Sequence, residues 1–137
     1  MTKQEFLAMS LPYDVKAIDK FECIWTIHAY KDALDSLRDN DHLSYENFIK
    51  EEGHRLILHP LSDLTKEIEH NGEKFVPMKK IAIYNPNNVE YLIECVVTGL
   101  GEYIVLRQLI KWHFDIADLI TKGEAIDVNA LEVNPYK

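Results

Sequence analysis

From Glu102 to Lys122 the chain carries its strongest periodic pattern. Leu106, Leu109, Ile110, His113, Ile116, Ala117 and Ile120 recur at helical spacing, and Arg107, Lys111, Asp115, Asp118 and Lys122 form the opposite polar stripe. That spacing predicts an amphipathic helix, with Lys111–Asp115 and Asp118–Lys122 as i,i+4 pairs and Gly123 as its stop. Such a helix would run about 30 Å. It would cross a domain of this size and serve as the spine on which a sheet packs.

The remaining chain supplies the sheet. Val15–Asp19, Phe21–Tyr30, Arg55–His59 and Phe75–Tyr84 read as strands from alternation and β-forming residues, the last one interrupted by Pro77. Thr2 with Glu5 predicts a capped first helix that ends at Leu11-Pro12. Further short helices are expected over 31–38, 45–52 and 89–98, with a helical turn from Ser62 to about Glu69. Asn71-Gly72 is a turn dipeptide. The expectation is one α+β domain over residues 1–137, a small mainly antiparallel sheet packed on a long C-terminal helix. A length of 137 residues is enough to bury a core without metals or disulfides.

Net charge is −8, from 15 basic and 23 acidic residues. That balance argues against direct nucleic-acid binding and against anionic membranes. The densest acidic window, 31–55, holds seven acids against four bases and reads as a solvated face. Cys23 and Cys95 lie among apolar neighbours and read as buried, unpaired thiols. The polar opening of the chain shows no secretion signal, and no apolar run reaches the length of a membrane span. These features point to a reducing cytoplasm.

No phosphate loop, nucleotide-binding glycine pattern, hydrolase elbow, zinc motif or CxxC occurs. Six histidines, His28, His42, His54, His59, His70 and His113, invite a metal check. Their spacings put no convincing ligand set on one face, so neither a metal nor another cofactor is expected. No catalytic constellation is assigned. A polar site would have to be assembled from distant residues, with His54, His59, Asp63 and His113 as candidates. Aromatics are more conspicuous. Trp112 and Phe114 flank the main helical stripe. Together with Tyr103 they mark either a deeply buried central helix or an interaction surface.

Three stretches carry a resemblance. They are residues 1–13, then His59-Pro60-Leu61-Ser62-Asp63-Leu64-Thr65-Lys66, then Trp112 to Ile120 continuing through Gly123 to Asn129. Together they resemble a family of small uncharacterised proteins found in phages and prophages of Bacteroidetes bacteria. The resemblance implies a setting inside an infected bacterial cell and carries no catalytic residues. It favours a non-enzymatic accessory protein acting on a host or phage protein, for instance as an inhibitor of a host defence system, with self-association as a further option. The alternative is a small enzyme or ligand-binding protein built on the distant His and Asp residues.

Overall fold

A computed structural model describes residues 2–28, 42–44, 48, 53–81 and 103–137. The helices expected over 31–38 and 89–98, most of that over 45–52, most of the acidic window and Cys95 lie outside the described residues.

The fold is α+β. In chain order the described elements are α1 (Lys3–Ser10), β1 (Lys16–Ile18), β2 (Ile24–His28), β3 (His42–Ser44), β4 (Arg55–Leu58), β5 (Ile68–His70), β6 (Glu73–Phe75), α2 (Pro77–Lys80), α3 (Tyr103–Lys111) and β7 (Ala125–Asp127). The main sheet has the order β3-β2-β1-β4-β7. The expected antiparallel character holds only at its centre. β1 pairs antiparallel with β2 and β4, whereas β2–β3 and β4–β7 are parallel. The sheet is therefore mixed.

Local chemistry explains several elements. Thr2 caps α1, its hydroxyl accepting from the Glu5 amide at 3.1 Å and donating to the Glu5 carboxylate at 3.2 Å. The β1–β2 connection is organised by Asp19. Its carboxylate accepts from the Phe21 amide at 2.8 Å, the Cys23 amide at 2.9 Å and the Trp25 indole at 3.0 Å. β2 therefore begins only at Ile24, and Cys23 sits in the loop as an exposed free thiol. The expected burial of Cys23 is corrected. Asn71 and Gly72 join β5 to β6 with φ of 50° and 82°, the paired left-handed conformation of a tight hairpin turn.

Two further expectations are overturned. The strand over 75–84 stops at Phe75, because Pro77 opens α2, where a missing amide costs nothing. The long C-terminal helix is only α3, and it ends at Lys111. His113 adopts φ 63°, its amide donates to the Ile110 carbonyl at 2.9 Å, and the Phe114 amide donates back to the Leu109 carbonyl at 2.9 Å. This is a Schellman closure with a histidine where glycine is usual. Beyond it the Asp115 carboxylate accepts from the Leu119 and Ile120 amides at 2.8 and 2.9 Å. Those bonds fold 115–120 into turns. Apolar residues continue there because the turns are buried: Phe114, Ile116, Ala117 and Leu119 all belong to the core.

The main sheet divides the buried residues between its faces, as strand alternation requires. Ala17, Leu56 and Leu58 join the large core with Phe6, Leu64 and Leu109. Ile18 and Ile57 point the other way, into a smaller cluster with Val128 and Tyr136.

Candidate functional site

β4 carries the chain into the site. His59 follows it directly, two residues beyond Ile57, so alternation places its ring on the same face as Ile57. The backbone there is fixed by the loop after α3: the His59 amide donates to the His113 carbonyl at 2.8 Å, and the Asp115 amide donates to the His59 carbonyl at 2.9 Å. Pro60 then starts the 3-10 turn Leu61–Thr65. That turn brings Asp63 back beside the ring, with His59 Nδ1 3.7 Å from Asp63 Oδ2. The distance is an ion-pair approach, too long for a hydrogen bond. Asp63 Oδ2 instead accepts from the Asn129 side-chain amide at 2.7 Å. Asn129 is set by the turn after β7, where its amide donates to the Asp127 carboxylate at 2.8 Å.

The tail supplies the centrepiece. The Tyr136 hydroxyl donates to the Ile57 carbonyl at 2.6 Å and accepts from the Lys16 amide at 2.8 Å. Around its ring lie three imidazoles. His113 stacks on it at 4.1 Å with the planes 19° apart, His70 lies at 6.0 Å and His59 at 6.2 Å. His70 and His113 are 5.3 Å apart. The hairpin bearing His70 is tied to the tail, through the Asn71 amide to the Tyr136 carbonyl at 2.7 Å and the Asn134 side chain to the Glu69 carbonyl at 2.9 Å.

Burial sets the protonation states. It holds the His59 pKa below 6.5, against the pull of the Asp63 carboxylate. It lowers His70 likewise, helped by His59 and Lys111. His113 is pushed well below 6.5 by burial, then by its neighbours His70 and His59, with the Tyr13 backbone pulling weakly the other way. Burial raises the Tyr136 hydroxyl beyond its ordinary range. The three imidazoles and the Tyr136 hydroxyl are therefore uncharged at neutral pH. Several polar atoms here have no hydrogen-bond partner among the described residues: both nitrogens of His59, Nδ1 of His70 and of His113, and Oδ1 of Asp63. His59 is 2% exposed and Asp63 3%.

A hollow of about 310 Å³ opens beside His59 and Asp63, walled by Lys66, Ile68, Asn129 and Leu131 among others. A larger cleft of about 700 Å³ lies at the His70 end, between Tyr13, Gln108, Lys111 and Trp112. In its wall Lys80 is already paired with Glu73, and His70 is the one buried polar residue among those described. The smaller hollow is the better candidate, because a buried, incompletely bonded pair forms its wall. Its volume is at the lower end for small-molecule sites.

The structure thus brings together three of the four distant candidates. His59 and Asp63 meet directly, and His113 joins them through Tyr136. His54 does not; it packs by the Phe48 ring at 5.8 Å. His70, Asn129 and Tyr136 belong to the cluster without having been singled out as site residues. Only parity along β4 hinted at which face His59 would take, and the tail carries no periodic signal. Among the described residues no group of three or more His, Cys, Asp or Glu side chains could hold a metal ion.

Of the expected aromatic interaction surface, Trp112 and Phe114 are corrected to buried positions. Trp112 is buried against Phe75 at 4.9 Å, and Phe114 is fully buried against His59 at 5.2 Å. Tyr103 opens α3, and its side chain lies outside the description. Among the described residues the exposed large apolar side chains are instead Phe21, Val133, Met9 and Ile24. Among the described residues no helix is long and apolar enough to cross a membrane. Comparison with family models, curated proteins and solved structures gave no match.

Proposed function

We propose that this is a ligand-binding protein whose site is the hollow beside His59 and Asp63. The observation that carries the reading is His59 itself, 2% exposed with both ring nitrogens unpartnered in the hollow's wall. A buried polar atom left without a partner costs about 1–3 kcal/mol. A ligand that supplied a donor and an acceptor would recover that cost. The resemblance to the phage and prophage family supports action in the cytoplasm of an infected bacterium.

A second reading keeps the non-enzymatic accessory protein that acts on a host or phage protein, including as a defence inhibitor. One observation favours it: Phe21 is 75% exposed at the β1–β2 loop, near the exposed Ile24. Exposed aromatics of this kind anchor protein interfaces.

Native mass spectrometry of the protein released gently from cells separates the two. The ligand reading expects a small-molecule adduct that disappears in Asp63→Ala. A protein partner that copurifies, is lost in Phe21→Ser and is indifferent to Asp63→Ala would replace it with the interaction reading.

A further inference from the structure

The charge around the hollow is one-sided. Its titratable lining comprises Asp63, Glu67, Glu69 and Glu132 against Lys66, with His59. Burial keeps His59 neutral at pH 7, so carboxylates outnumber ammonium groups four to one. Solvated acids alone would signify nothing. The independent observation is at the wall, where the buried His59 nitrogens and Asp63 Oδ1 have no hydrogen-bond partner.

Asp63 is bonded on one side only. Asn129 occupies Oδ2, and Oδ1 faces the Lys66 ammonium at 3.7 Å. The Lys66 side chain is 67% exposed. An exposed lysine held by one long ion pair leaves at little cost. The nearest cation to Asp63 is therefore a displaceable one, and it marks the approach a ligand cation would take. An anion entering the hollow would meet four carboxylates and gain one ammonium.

The geometry points to a ligand carrying a primary ammonium or guanidinium group, seated on Asp63 Oδ1 in place of Lys66, with a polar portion bonded to the His59 ring. This rests on the reading of the hollow as a ligand site. Neutral imidazole presents both a donor and an acceptor, so it tolerates the cation and selects a polar neighbour to it.

The test is a titration of the full chain, followed by ¹H–¹⁵N spectra, with four probes: methylguanidinium, n-butylammonium, methylphosphonate and butyramide. The two cations are expected to shift the Asn129 side-chain amide and the Lys66 amide, and methylphosphonate to leave them in place. Asp63→Asn retains an acceptor for Asn129 and should weaken cation binding by about tenfold or more, as loss of a charge-assisted bond does. Glu132→Gln makes the same charge change at an exposed position and should cost less than about threefold. Lys66→Ala should tighten binding by about threefold, since the competing ammonium is gone. Equal effects of Asp63→Asn and Glu132→Gln would mean diffuse attraction and overturn the inference. If methylphosphonate or butyramide shifts those signals and the cations do not, the cation assignment fails while the hollow survives as a site. If no probe shifts them, the hollow fails as a site as well.

Discussion

The two faces of the main sheet are built by different rules. On one, Ala17, Leu56 and Leu58 pack into a large cluster with Phe6, Leu64, Leu109 and Phe114. On the other, Ile18, Ile57 and Val128 surround Tyr136, and its ring is ringed in turn by His59, His70 and His113. The first face gains transfer energy and dispersion, and the buried polar groups beside it, Ser10 and Asp115, are both hydrogen-bonded. The second accepts unpartnered imidazole nitrogens and a carboxylate oxygen. A chain shaped only for stability would place apolar side chains there. Polar groups retained at a cost mark the face where function is to be sought.

The largest effect should come from the apolar face. Phe114→Ala is expected to cost about 3–5 kcal/mol, from lost transfer energy plus a cavity, as read by urea denaturation. An unchanged midpoint would return Phe114 to the surface and undo the division. Tyr136→Phe should cost about 1–3 kcal/mol, because the Lys16 amide and the Ile57 carbonyl lose a buried partner. A neutral result would show that water replaces the hydroxyl and that the polar face is wetter than its packing implies.

Mild acid should act chiefly on the polar face. His59, His70 and His113 all hold folded pKa values below 6.5, burial being the main cause. Between 6.5 and those lower values the unfolded chain binds protons that the folded chain refuses. Stability from this source is complete above about 6.5 and is lost as pH falls below it. The denaturation midpoint should therefore drop between about pH 7.5 and about pH 5.5. His113→Asn removes the most deeply perturbed ring yet tolerates the left-handed backbone at that position, and it should flatten the slope. An equal slope in the variant would assign the acid loss elsewhere. At the small end, Lys111→Ala on the exposed side of α3 should cost under about 0.5 kcal/mol.

Local chemistry was legible wherever a residue type dictates its own backbone. Thr2 with Glu5, Asn71-Gly72 and the β4 run Leu56-Ile57-Leu58 all sit as their side chains require. Periodicity misled over 112–120. Apolar spacing reports burial, and a buried turn satisfies it as well as a helix does. What ended α3 was a Schellman closure without its glycine, and the Asp115 carboxylate then satisfied amides that a helix would have bonded. Cys23 was misplaced for a related reason: Asp19 takes the amides of Phe21 and Cys23 that a longer β2 would have used. For the site, four candidate residues were named, and three of them converge. Tyr136 was out of reach, because its contacts to Lys16 and Ile57 span most of the chain and no local pattern encodes them.

His59→Leu tests the central claim most directly. Leucine roughly matches the volume of the ring and removes both unpartnered nitrogens. Exchanging a buried, unsatisfied polar group for an apolar one of similar shape is neutral or stabilising. If His59 is kept for binding, the variant should unfold at the parent's urea midpoint or above it, while losing the probe response at the Asn129 side chain. A loss of more than about 2 kcal/mol would show that His59 is a structural residue with its bonds satisfied in the folded protein, and would contradict the division of the molecule into a stabilising face and a functional one.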